Sequence, residues 1–542
     1  MKRIRDPLYG YIEIEDEIIH EVVDTATFQR LRSIIQTSYA PLFASAVHNR
    51  FVHSLGVYHL GKIAAHSIKC AIEHTKNAKI ENIDSYVRVF EYACLLHDVG
   101  HAPFSHTGEF LYLDKEESLD NLHKEIIQLT GDSNLEGEIR EKNYMAAPHE
   151  LMSAIVGLNK FPMLFRDNKE KSFFARSILG YQYVKEADSD SSFLNCLISM
   201  LNSSLIDVDK LDYLLRDAYI TGFDTVSIDY TRLLRSVMVY YDDQWELAFG
   251  KDAISIIENV VFAHDAERKW IQNHPAILYE SELLRKILNK LQEVYHIFSY
   301  DALTAEGMTI QNGFRVSLLS DADVIFLMKN LEGDSFVNEY FSRKDRRHPL
   351  WKSESEYKAI FSSVFTDELF KTMEDEFMEL VRYVSLANGS PELNNAAIEA
   401  LNNDIDNTKT LISKDSDKGD NFKHQLKIKE KHLRWIKCLK TFADTNKLDF
   451  DFLIIKANQF NSGFGKLDFD NIQIKFHSLN CIRVFKEVTN TLSGTRSDRE
   501  KFFYIFVRRN SSTTAISPFD LARELATLII RELFPQREQK LQ

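Results

Sequence analysis

Residues 95–106 read Leu95-Leu96-His97-Asp98-Val99-Gly100-His101-Ala102-Pro103-Phe104-Ser105-His106. They close a strongly apolar run, residues 84–98, whose periodicity predicts a buried helix. Gly100 is expected to cap that helix, and Pro103 forbids its simple continuation. A histidine beside an aspartate at the end of a buried helix is costly unless something compensates the charge. A metal ion does so, because neutral imidazole and carboxylate are its natural ligands.

Working outward, three more segments carry chemistry. Upstream lies Asn49-Arg50-Phe51-Val52-His53-Ser54-Leu55-Gly56, where a helix would put Arg50 and His53 on one face and Gly56 would let a backbone or a ligand come close. Downstream come His149-Glu150 and then Ile206-Asp207-Val208-Asp209-Lys210-Leu211-Asp212-Tyr213-Leu214-Leu215-Arg216-Asp217. In the last of these Asp209, Tyr213 and Asp217 recur every four residues and line one helix face beside Lys210. Singly, each fragment reads as a structural histidine, a cap or an ion pair. Together, His53, His97, Asp98 and Asp209 supply two imidazoles and two carboxylates, a mixed nitrogen and oxygen set for one divalent metal, Fe, Mn, Mg or Zn.

The rest of the 542 residues bounds the setting. Only 19 glycines and 10 prolines occur, about 5% of the chain, so a mainly α protein is expected. Helices are predicted over about 20–37, 50–71, 84–98, 147–160, 192–218, 226–238 and 252–293, a β-hairpin within 300–318, and further helices over 321–385. Residues 390–442 are polar and charge-dense and read as an exposed linker or solvated arm. Strand-like runs follow from 448, before an amphipathic helix over 517–534. The expected organisation is a catalytic core at 1–300, a helical extension with a hairpin at 301–390, a charged arm at 391–445 and a small α+β lobe at 446–542. A net charge of −14 argues against duplex nucleic acid and anionic membranes as partners. Five scattered cysteines without a CxxC pair, and no long apolar span, point to the cytoplasm.

The order H…HD…D, with its flanks HNRFVHSLGV, LLHDVGHAPFSH and IDVDKLDYLLRDAYITG, resembles the HD-domain superfamily. More narrowly, with the opening RDPLYGYIEIEDEIIHEVVDTATFQRLRSIIQ, the chain is similar to the deoxynucleoside triphosphate triphosphohydrolases of that superfamily. The resemblance is dense over residues 4–220 and thins beyond. It implies a helical HD core, metal ligation by His53, His97, Asp98 and Asp209, and splitting of a nucleoside triphosphate into nucleoside and inorganic triphosphate. It assigns His101 to the α-phosphate and His106 to the attacking water or the 5′-oxygen. Glu109 would orient His106, and His149 would complete the row. Arg50, Lys210 and Tyr213 would grip the phosphates, with Asp217 and Gln36 toward the sugar. Asp24, Gln29 and Arg32 match positions that read an activating nucleotide between subunits, so a dimer or tetramer is implied.

Two departures bear on the sugar. Thr37 stands where the family usually has leucine, and His264 and Gln272 stand where it places an arginine and a tyrosine. Polar groups there give a 2′-hydroxyl partners that leucine lacks, so ribonucleotides and deoxyribonucleotides both remain open as substrates. Two rival functions also stay open: an HD-type phosphodiesterase or nuclease, and a nucleotide-sensing regulatory module.

Overall fold

A computed structural model describes the chain except residues 74–79, 114–117, 142–145, 185–188, 204–205, 224–225, 312, 389–391, 415–418, 457–471, 477–480, 490–501, 510–516 and 536–542. Parts of two strand-like runs expected after residue 448 therefore lie outside the described residues. The fold is mainly α. It divides into two compact units, Met1–Ile271 with Ile287–Glu332 and Asn461–Ser497, and Gln272–Lys286 with Gly333–Phe460 and Asp498–Gln542.

The first unit is built around the helix Arg50–Glu73, buried along most of its length by Phe51, Leu55, Tyr58, Leu60, Ala64 and Ile68. The helix Ile83–Leu96 packs against it. Their contact is close at Gly61, where a Cβ would lie 2.6 Å from Cys94 Sγ. The helices Pro148–Lys160, Asn168–Leu179, Ser189–Leu201 and Val208–Thr221 complete the bundle. Each buried Leu, Ile or Phe contributes about 1.5–3 kcal/mol by leaving water. The two aspartates that open helices at Asn168 and Val208, Asp167 and Asp207, accept the backbone N–H three residues on.

Several local expectations change. Gly100 does not cap its helix, which ends at Leu96 with His97 as the cap residue. It is needed because a Cβ there would lie 2.4 Å from the backbone of Met152 and Ser153. The continuous helix expected over 20–37 is a succession of short turns, and Thr25 caps Ala26–Gln29. The stretch expected as one helix over 192–218 is broken between Leu201 and Val208, where Asp207 turns back to bind Ser203 N–H. Strands Val237–Asp242 and Gln244–Gly250 replace the end of the helix expected to 238. Gln244–Gly250 also pairs in parallel with Gln473–Phe476, which continues the sheet to Cys481–Val484. The hairpin within 300–318 is present as Met308–Thr309 against Arg315–Val316.

In the second unit an antiparallel sheet runs His348–Pro349, Phe503–Arg509, Leu448–Lys456, Glu392–Asn394. The segment read as a solvated arm forms the helices Asn395–Lys414 and Gly419–Thr445. The second of these helices buries one face through Trp435, Ile436, Leu439 and Phe442, and Trp435 Nε1 donates to Glu376. Among the described residues no helix is long and apolar enough to cross a membrane.

Candidate metal centre and histidine row

His53 projects from the first turn of Arg50–Glu73, His97 and Asp98 end the helix Ile83–Leu96, and Asp209 opens the helix Val208–Thr221. The first two elements bring His53, His97 and Asp98 together as a group that could hold a metal ion, and the third sets Asp209 beside the two imidazoles. His53 Nε2 lies 3.2 Å from His97 Nε2, 3.6 Å from Asp98 Oδ2 and 2.9 Å from Asp209 Oδ1. His97 Nε2 is 3.6 Å from both Asp98 Oδ2 and Asp209 Oδ1. Ligands at about 2.1 Å from one cation stand roughly 3.0–3.4 Å apart, so His53, His97 and Asp98 fit a divalent ion, with Asp209 next to the two imidazoles. His53, His97 and Asp98 are buried.

Each imidazole has its far nitrogen engaged. His97 Nδ1 donates to Cys94 O at 2.9 Å, and His53 Nδ1 faces Asp212 Oδ2 at 2.7 Å. Asp212 is held in turn by both ends of the Arg216 guanidinium at 2.9 Å and by Tyr9 O–H at 2.6 Å, and Arg216 also bonds Asp6. Such outer partners fix the tautomer that presents Nε2 to a metal. Gly56 makes room for them: a Cβ there would lie 1.9 Å from Asp212 Oδ1 and 2.5 Å from Arg216 Nη2. Side chains, not a backbone, make the close approach there. Burial favours the neutral His53 ring, but hydrogen bonds to Asp209 and Asp212 outweigh it and raise the pKa to about 9. Asp98 is also buried, yet Arg50 and the two imidazoles hold its carboxyl well below the ordinary range.

Asp98 faces a second cluster. Its Oδ1 is 3.8 Å from His101 Nε2, and His101, His106, Glu109 and His149 converge beside it. The rings of His101 and His149 stack with centroids 4.3 Å apart, and His106 meets both edge-on at 5.0 and 5.1 Å. Glu109 bonds His106 Nδ1 at 3.1 Å through one oxygen and His149 Nδ1 through the other. The environments differ sharply. His101 is fully buried, neither ring nitrogen has a hydrogen-bond partner, and burial with Arg50 and the other histidines nearby keeps its pKa well below 6.5. Burial also opposes charge on His149, but Glu109 prevails and raises it to about 9. Glu109, despite its own burial, is kept well below the ordinary range by His149 and His106. His106 is 65% exposed.

The remaining residues are placed as follows. Arg50 is buried and committed to Asp98 Oδ2 at 2.7 Å, Ser105 Oγ at 3.0 Å and Gln36 O at 3.3 Å. Lys210 Nζ donates to Asp207 Oδ2 at 2.6 Å and Ser203 O at 2.7 Å. Asp217 is buried with Oδ1 2.7 Å from His48 Nε2. Gln36 is buried beside Arg50, and its Oε1 and the Thr37 hydroxyl have no hydrogen-bond partner. Tyr213 is partly buried, its hydroxyl pKa pushed well above 10 by burial and then by Glu267. His264 is lowered to about 4 by burial and by Arg268 and Lys210. Gln272 falls in the second compact unit. Asp24 pairs loosely with Lys2 at 3.8 Å, Gln29 accepts from Arg32 at 2.7 Å, and Arg32 lies over the Phe51 ring at 3.6 Å. Asp212, Arg216, Tyr9 and Ser105 were not anticipated as site residues. An aspartate and an arginine four apart, as Asp212 and Arg216 are, was the one signal available.

Comparison with known proteins agrees with this geometry. Residues 50–141 match the HD domain. The chain is 27% identical over 297 residues to an uncharacterized protein, YwfO, of Bacillus subtilis, covering 54% of this chain and 57% of that one. It is 32% identical over 246 residues to a deoxynucleoside triphosphate triphosphohydrolase SAMHD1 homolog of Dictyostelium discoideum, covering 45% of this chain and 40% of that one. The match thus spans about half the length of these relatives. A crystal structure of a hypothetical protein from Aquifex aeolicus shares the fold with a TM-score of 0.54 at 19% identity, covering 97% of this chain and 99% of that one. The domain match starts at Arg50, takes in His53 and runs through the His97-Asp98 doublet, so residues 50–141, which supply these three converging groups, are similar to the HD domain.

Proposed function

We propose that this protein is a metal-dependent phosphohydrolase that splits nucleoside triphosphates into nucleoside and inorganic triphosphate. The observation that carries the reading is the sharing of Asp98 between a ligand cluster and a row of three histidines with Glu109. Its likeness to a triphosphohydrolase relative supports the choice of substrate. His53, His97, Asp98 and Asp209 would hold one divalent ion, which when bound supplies Lewis acidity toward a phosphoryl oxygen and makes water more acidic.

The chain's own groups would do the rest. His101, neutral and buried with free ring nitrogens, is suited to donate one hydrogen bond to an α-phosphate oxygen. His106, open to solvent and oriented through Nδ1 by Glu109, can pass a proton from Nε2 to the departing 5′-oxygen. His149, protonated at neutral pH, keeps Glu109 ionised and in place. Lys210 reaches a triphosphate by exchanging Asp207 and Ser203 O for phosphate oxygens, while Arg50 stays on Asp98 and holds the HD turn. The unpartnered Thr37 hydroxyl and Gln36 Oε1 suit a sugar hydroxyl and leave ribonucleotides within the substrate range. The surface group Asp24, Gln29 and Arg32 is proposed as an activating nucleotide site in a homo-oligomer.

The test is to incubate the protein with each dNTP and NTP and Mn²⁺, Fe²⁺ or Mg²⁺ and separate the products. Nucleoside with tripolyphosphate is expected. Nucleoside monophosphate, or cut oligonucleotide in a parallel assay, would replace the reading with a phosphodiesterase. Tight nucleotide binding without turnover would replace it with a sensor.

A further inference from the structure

Three stretches far apart in sequence meet beneath the histidine row. Phe104 and Ser105, in the turn between His101 and His106, both adopt left-handed backbone, φ 58° and 53°. Side chains other than glycine adopt that conformation at a cost, so the surroundings must impose it. Arg30, fully buried, donates to Val99 O at 2.9 Å, His101 O at 2.8 Å and Leu319 O at 2.9 Å. Ser105 Oγ donates to Ile35 O and accepts from Arg50 Nε. Asp321, the first residue of the helix Asp321–Lys329, closes the set: Oδ1 accepts Phe104 N–H at 2.8 Å and Oδ2 accepts Ile35 N–H at 2.9 Å.

Two N–H donors on two oxygens need a carboxylate, since an amide of the same shape offers one acceptor and turns a second donor toward the other N–H. Burial raises the Asp321 carboxyl to about 6, so both oxygens accept at neutral pH. We propose that Asp321 is a positioning residue for the hydrolysis, locking the Phe104–Ser105 turn, and with it His101 and His106, to the Ile35–Gln36 segment. The inference rests on the function proposed above but concerns a residue that touches neither the metal ligands nor the substrate groups.

Asp321→Asn and, as a control, Asp323→Asn are compared with the full-length wild type. Asp323 only accepts Ser320 N–H and O–H at the same helix start, so its change loosens the helix without touching the brace. For Asp321→Asn, hydrogen exchange should rise together in peptides covering 33–37 and 100–107, with Mn²⁺ still bound, kcat down tenfold or more and KM changed less than threefold. Asp323→Asn should keep kcat within twofold. An unaltered kcat in Asp321→Asn, an equal loss in Asp323→Asn, or loss of bound Mn²⁺ would overturn the proposal. Should Asp321→Asn not accumulate in folded form, Asp321→Glu moves both acceptors by one methylene and keeps the charge; an unaltered kcat there overturns it equally. If the wild type hydrolyses no nucleotide, the proposed function fails on its own. Exchange confined to one segment would then sink the brace, and exchange raised in both would uphold it.

Discussion

His53 and His106 come one from each of the clusters that share Asp98, and they are held in opposite ways. His53 is fully buried, its Nδ1 is fixed by Asp212, and Asp212 is fixed by Arg216 and Tyr9. His106 is mostly exposed, with Glu109 as its one hydrogen-bonding side chain among the described residues. A metal ligand must not move, because cation affinity depends on the simultaneous placement of every donor. A proton donor needs access to substrate, which burial would deny. The contrast separates a site that holds from a site that works.

The largest effect that could break this comparison is removal of a shared or bridging ligand. Asp98→Ala and Asp209→Ala should abolish turnover and bound metal together, read by product chromatography and metal analysis; activity retained without metal would undo the division of labour. His106→Ala should lower kcat by about 10²–10⁴-fold with metal content unchanged. A parallel loss of metal would move His106 into the ligand cluster. Asp212→Asn, and Gly56→Ala through the clash with Asp212, should weaken metal affinity by about 10–100-fold in a titration, since both release the far nitrogen of His53.

A pH profile sharpens the comparison further. His149 has its folded pKa raised to about 9, so it is charged at neutral pH and gives up its proton as the pH climbs past that value. An alkaline limb in kcat near pH 9 is expected, and Glu109→Gln should shift that limb toward neutral pH. The same ion pair contributes to stability fully below the ordinary histidine value of about 6.5, and that contribution is lost as pH rises through 9. The smallest effect is on sugar choice: Thr37→Leu should raise the preference for deoxynucleotides by about 3–10-fold in kcat/KM, the worth of one hydroxyl partner. An unchanged ratio would show that the Thr37 hydroxyl does not meet the sugar.

Much of the ligand cluster was legible because its residues sit at helix ends in a recognisable order, and three-residue spacings translate directly into shared faces. Less legible was what those residues lean on. Arg50 and Lys210 read as free cations for phosphates, yet in the fold each already has a carboxylate partner, Asp98 and Asp207. The strands at 237–250 pair with each other, and Gln244–Gly250 completes its sheet only with Gln473–Phe476, more than 200 residues away. The segment at 390–442 looked solvated because it is polar and charge-dense, whereas the apolar face of its second helix, with Trp435, Ile436 and Leu439, is buried.

By itself the amino-acid sequence determined the residue types and their order: a mainly α chain, two imidazoles and two carboxylates at helix ends, and three more histidines with a glutamate nearby. Those follow from local periodicity and from the chemistry of side chains. Only the tertiary structure decided that His101 is held neutral and His149 charged at neutral pH. His101, His106 and His149 are identical in sequence terms, and they differ because one is buried without partners, one is exposed, and one faces Glu109. Burial and neighbouring charge set a pKa, and both are properties of the folded chain.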